Sequence, residues 1–129
     1  MKILQIIVVF ILAFLMLSGA FYHLYAPESY SNFIPEFFPE TLAHILSSIA
    51  EASIGIALLI PKYRKRGGLG FVLLMIIFLP IHIWDLTKDI PAIGTKMAAG
   101  VRIVIQLVLI AAGWWIYKSQ PKAKSRVEM

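Results

Sequence analysis

Residues 41–61, TLAHILSSIAEASIGIALLIP, form a mostly apolar stretch of about 20 residues, the length that crosses a bilayer as a helix. Within it stand His44, Ser47, Ser48 and Glu51, which fall on one helical face with Gly55 one turn further on. Glu51 lies about ten residues from either end, at the expected bilayer midplane. An ionisable side chain at that depth costs roughly 2.5–3.5 kcal/mol on insertion scales, so it is expected to face the bundle interior beside a partner. The remaining apolar stretches must supply that partner.

Composition points to a membrane class. Of 129 residues, 60% are hydrophobic and 15% charged, whereas soluble domains carry roughly 25% charged residues. At about 20 residues per span, the chain has room for four helices and no separate soluble domain. It has no cysteine, which excludes disulfide scaffolds, thiol redox relays and thiolate metal sites. The net charge of +5 does not indicate nucleic acid, because the basic residues sit just outside apolar runs, as topology and anionic-lipid signals do.

The expected fold is an all-α, four-helix transmembrane bundle with both termini cytoplasmic. Helices are expected over 3–25, 41–61, 70–86 and 97–117, in a single domain spanning 1–129 with a basic tail at 118–129. The first apolar run exceeds the ~7–15 residues of a signal-peptide core and is read as a spanning helix ending before Pro27. Residues 26–40, APESYSNFIPEFFPE, combine three prolines with four aromatics and no lysine or arginine. They are expected to form an outer loop at the membrane interface. Lys62, Arg64, Lys65 and Arg66 mark a cytoplasmic turn in which Gly67, Gly68 and Gly70 supply flexibility. Pro80 should bend the third helix and leave a carbonyl for neighbours to satisfy. Lys2, the four cations of the turn, Lys118, Lys122, Lys124 and Arg126, nine of the 12 basic residues, fall on one side, which requires an even number of spans. The location expected from this pattern is the cell inner (plasma) membrane.

The intramembrane polar groups are uneven. His23 ends the first helix, His44 begins the second, and His82 and Asp85 share a face at the outer end of the third. Arg102 and Gln106 share a face near the start of the fourth. Apart from Glu51, every such group lies in the outer half. This pattern predicts an outward-opening polar pocket with Glu51 at its floor and Arg102 balancing Glu51 or Asp85. The expected ligand-binding set is Glu51, Arg102, His44, His82, Asp85, Gln106, His23 and Ser48, with the histidines passing protons or donating to a ligand carbonyl. The bland alternatives are a structural Asp85–Arg102 ion pair, an interfacial His23 and packing serines. No metal motif such as HExxH occurs, no hydrolase nucleophile is positioned, and c-type haem is excluded by the missing cysteines; b-type haem on two histidines is a weak alternative.

Four segments carry a family resemblance: GAFYHLYAPESYSNFIPEFFP (19–39), SSIAEASIGIALLIPKYRKRGGLG (47–70), LPIHIWD (79–85) and RIVIQLVLIAAGWW (102–115). They resemble the DoxX-like small membrane proteins of the MauE/DoxX redox-associated group. The matching positions are His23 and Pro27, Ile34-Pro35, Ser48 and Glu51, Pro80, His82 and Ile83, and Arg102 and Gln106. The resemblance implies a redox-associated accessory subunit whose activity belongs largely to its partners, since the group is named after subunits tied to quinone chemistry. Without cysteine, any redox role is not thiol-based. The expected function is a non-catalytic subunit binding a quinone- or lipid-like molecule. The alternatives are an assembly scaffold for a membrane-protein partner and a small transporter acting as a homo-oligomer. The lipid bilayer is the expected surrounding and nucleic acid is not an expected partner.

Overall fold

A computed structural model describes residues 1–121 of the chain. Four helices follow one another: α1 Ile3–Tyr25, α2 Glu40–Leu59, α3 Arg64–Thr87 and α4 Lys96–Ser119, with two short 3-10 turns at Pro27–Ser29 and Ser31–Phe33. All four are long and apolar enough to cross a membrane. The all-helical expectation holds, and three spans begin and end within about two residues of the expected bounds. Lys122, Lys124 and Arg126 lie outside the described residues.

The third span differs. It begins at Arg64, so most of the expected basic turn is the first turn of α3. The link from α2 shrinks to residues 60–63, too short for anything but antiparallel neighbours. The cations are used locally. Arg64 Nε donates to the Leu58 carbonyl at 2.8 Å and its Nη2 reaches the Leu59 carbonyl at 3.4 Å. Lys65 Nζ donates to the Tyr117 carbonyl at 3.2 Å. These carbonyls end α2 and approach the end of α4, where helical carbonyls lack donors and the helix dipole favours positive charge.

Gly67 and Gly68 are packing positions rather than flexible ones. A Cβ on Gly67 would lie 2.8 Å from the Leu58 backbone nitrogen, and one on Gly68 would lie 3.1 Å from the Tyr117 nitrogen. The start of α3 is thus wedged against the ends of both α2 and α4. In a bilayer, where lipid tails are as apolar as side chains, such close approach is what holds helices together.

α1 packs on α2 and α3 on α4, α2 joins the two pairs, and α1 and α4 meet sparsely. The apolar core, including Val9, Leu12, Leu58, Phe71 and Ile116, fills the half of the bundle nearest the basic link. Met1 and Gln120 meet at that same end, as an even number of spans requires. The buried polar groups occupy the opposite, loop-bearing half.

Pro80 lies inside α3 and removes the amide that the Ile76 carbonyl would receive. Next to that gap Gln106, fully buried on α4, donates to the Met75 carbonyl at 2.7 Å and meets Met75 Sδ at 3.4 Å. This bond goes to the Met75 carbonyl and not to the Ile76 carbonyl that Pro80 frees, so it braces the turn without filling the gap.

Candidate functional site

Of the five residues expected on one face of α2, four share it and Ser47 does not. His44, Ser48, Glu51 and Gly55 are all buried, and all turn toward α1. Ser48 Oγ donates to the Ala20 carbonyl at 3.0 Å. Gly55 lets α2 approach Met16 and Leu17, where an added Cβ would lie 2.9 Å from Leu17. Ser47 does not share this seam; it lines a cavity on the α3 side.

Glu51 rests its carboxyl on α1 at Gly19, where an added Cβ would lie 2.7 Å from Oε2. One turn along the same face of α1, His23 Nε2 stands 3.7 Å from Glu51 Oε2. The other ring nitrogen, His23 Nδ1, faces His44 Nδ1 at 2.9 Å in a buried hydrogen bond across the seam. His44 Nε2 is in turn 3.5 Å from Glu40 Oε1, four residues earlier on α2. Glu40 is exposed at the loop end and accepts a hydrogen bond from the Ser31 hydroxyl. Four titratable side chains therefore run in file from surface to bundle interior: Glu40, His44, His23, Glu51.

The loop between α1 and α2 closes over this file. Tyr30 stacks on His23 with centroids 4.0 Å apart and planes 20° apart. Burial, with Glu51 and Tyr22 nearby, pushes the Tyr30 phenol above its usual 10.0. Phe33 meets His82 edge-on at 5.9 Å. Lys88 anchors the loop by donating to the Asn32 carbonyl at 2.6 Å.

Beneath this roof is a cavity of about 540 Å³, bounded by α1, α2, α3 and the loop. Its walls are mostly apolar, with Phe38, Leu46, Leu74 and Phe78 among them, while His23, Tyr30, Ser47 and His82 bring polar groups to it. Both nitrogens of His23 are directed at His44 and Glu51, so His82 and the Tyr30 hydroxyl are the better-placed groups to meet an occupant. A shallower groove of about 1450 Å³ runs outside the loop, past Trp84 and Lys88. None of the eight expected site residues lines it.

Two expectations are overturned. Arg102 does not balance Glu51 or Asp85: it forms no ion pair among the described residues, and its Nη1 is buried without a hydrogen-bond partner. The helix pairing separates Arg102 from Glu51, since α4 packs on α3 whereas Glu51 faces α1. Asp85, 1% exposed, is a loop clamp that accepts from the amides of Ala92 at 2.6 Å and Ile93 at 3.4 Å. Its cation is Lys88, 3.4 Å away. Of the eight expected residues, His23, His44, Ser48 and Glu51 come together in the α1–α2 seam. His82 faces the cavity, and Asp85, Arg102 and Gln106 lie outside both.

Three residues of the site were not anticipated: Gly19, Tyr30 and Glu40. Glu40 had a signal in its four-residue spacing from His44. Gly19 likewise lies four residues before His23. Nothing in the sequence distinguishes Tyr30 from its aromatic neighbours in the loop.

The fold and site define a four-helix membrane bundle with a carboxylate–imidazole file along one helix seam and an apolar cavity beside it. Residues 12–117 match the family described as a domain of unknown function, DUF8561, and the chain belongs to that family. Neither the curated proteins nor the solved structures give a match.

Proposed function

We propose that this protein is a DoxX-like, non-catalytic subunit of the plasma (inner) membrane that holds a quinone- or lipid-like amphiphile in the cavity under the loop. The observation that carries this reading is the division of the cavity lining into a mostly apolar wall and a few polar side chains, among them His23, Tyr30 and His82. That division matches a molecule with a hydrocarbon body and a hydrogen-bonding head. His82 and Tyr30 would address the head, while the side chains of Leu46, Leu74 and Phe78 cover the body. The basic end of the bundle would face the cytoplasm, as its cations favour.

Native mass spectrometry of gently solubilised protein tests the reading. Wild type should carry a bound mass of small-molecule size, and Ala50→Trp, which fills the cavity from α2, should lose it. No bound mass in wild type, or an unchanged one in Ala50→Trp, would refute it. A second polypeptide in place of that mass would favour an assembly role. The sparse contact between α1 and α4 leaves room along the bundle for such a partner.

A further inference from the structure

A buried carboxylate is costly to keep in a bilayer, and Glu51 has a specific structure around it: a glycine to lie on, an imidazole at its end and a second imidazole behind the first. We propose that Glu40, His44, His23 and Glu51 form a proton path that loads Glu51 from the loop end of the bundle. The proposal goes beyond amphiphile binding and does not require it.

The geometry dictates how a proton moves. An Nδ1···Nδ1 hydrogen bond between two neutral imidazoles holds one proton, so the two tautomers are coupled. When His44 carries that proton, His23 carries its own on Nε2, directed at the Glu51 carboxylate. The bare His44 Nε2 then faces Glu40. A proton on the Glu40 carboxyl can pass to His44 Nε2. His44 releases its Nδ1 proton to His23 Nδ1, and His23 releases its Nε2 proton to Glu51 Oε2. Glu40 has lost one proton and Glu51 has gained one. Both rings are neutral before and after, with their tautomers exchanged, and no electron has moved.

Two contacts, 3.5 Å and 3.7 Å, must shorten by less than about 1 Å for transfer, which is ordinary for resting proton-transfer sites. Carboxylate rotation at Glu40 and Glu51 supplies such a movement. The reverse passage restores the starting tautomers, so the file loads and unloads Glu51 rather than conducting continuously. It is also one-sided, because the core beyond Glu51 toward the basic end is apolar.

The surroundings are consistent with this. Toward Glu51, α1 presents Gly19 and His23, and the loop presents Tyr30. His23 meets His44 and Tyr30, and Glu40 meets Ser31 and His44. From α3, His82 faces the same cavity as His23, and Arg102 of α4 pairs with none of the four. The competing route is cavity water reaching His23 directly, since His23 lines the cavity whereas His44 and Glu40 do not.

Infrared spectroscopy of the full chain in lipid nanodiscs separates the routes. The carbonyl stretch of protonated Glu51 is assigned by its loss in Glu51→Gln, and its shift is timed after exchange of H2O for D2O. His44→Phe should slow that shift on the order of 100-fold, the scale of a positioned proton-transfer group. Glu40→Gln should slow it in the same direction, and its exposed position makes it safe for folding. Wild-type rates in both variants would overturn the path in favour of cavity water. So would a wild-type spectrum with no band assignable to Glu51 at any pH. Bound small-molecule mass, measured on the same samples, reports separately on the amphiphile reading.

Discussion

The carboxyl group of Glu51 occupies the space where a side chain at Gly19 would begin: a Cβ built there falls 2.7 Å from Oε2 and 3.0 Å from Cδ. Gly19→Ala should therefore push the carboxyl away from His23 and destabilise the bundle by about 0.5–1.5 kcal/mol, the cost of turning a side chain off its rotamer. In a Glu51→Ala background the same change should be neutral or stabilising, because the carboxyl that the new methyl would meet is gone and alanine favours helix. Reversible unfolding in mixed micelles, run as a double-mutant cycle, measures this coupling. Additive effects would show that the two groups do not compete for the same space.

Gly67 and Gly100 make an opposed pair. A Cβ at Gly67 would meet backbone atoms of Leu58 and Ala57 at 2.8 and 3.0 Å, and backbone cannot swing aside. Gly67→Ala should destabilise by about 1–3 kcal/mol. At Gly100, inside α4, nothing lies within 4 Å, so Gly100→Ala should stabilise by roughly 0.5–1 kcal/mol. The same unfolding assay reads both signs, and equal effects would mean that α3 is not wedged against α2.

Asp85 holds the α3–α4 connection by accepting two backbone amides while buried. Asp85→Asn keeps the size but replaces one acceptor oxygen by a donor, which leaves an amide facing an amide. The expected cost is about 1–3 kcal/mol. Amide hydrogen exchange should quicken at Ala92 and Ile93, and unchanged protection there would contradict the clamp.

Tyr30 gives a pH dependence with a defined sign. Its phenol is raised above 10.0 by burial, then by Glu51 and Tyr22. The unfolded chain therefore ionises first as pH rises. The stability linked to this group is fully present below 10.0 and is lost as pH climbs through the higher folded value. Tyr30→Phe should flatten the alkaline fall of the melting temperature while leaving the neutral range little changed. A fall of equal steepness in the variant would assign it to other groups.

Much of the site was visible along α2. The spacing of His44, Ser48, Glu51 and Gly55 placed them on one buried face, and they share it. Their partners were less visible. Arg102 was the candidate counterpart of Glu51 or Asp85 by charge, yet the groups beside Glu51 are His23 and Gly19 of α1. Depth along a helix can be counted in residues, but which neighbour a face meets depends on rotation and pairing across long separations.

The basic link shows the same division. Its cations and the short distance to the next apolar run were evident, but not the helix that begins at Arg64. That helix forms because Gly67 and Gly68 fit against Leu58 and Tyr117, and because Arg64 and Lys65 find carbonyls on α2 and α4. Local composition reads as a turn there, and tertiary contacts make it a helix.

By itself, then, the sequence determined the number of spans, the gathering of polar side chains at the loop end and the polar face of α2. These follow from hydrophobicity and helical period, which act within one segment. The tertiary structure decided that Glu51 lies on Gly19 beside His23, that His23 and His44 are hydrogen-bonded, and that Arg102 stands apart. Those outcomes depend on α1 packing against α2 while α4 packs against α3, a choice made by how side-chain shapes fit between helices.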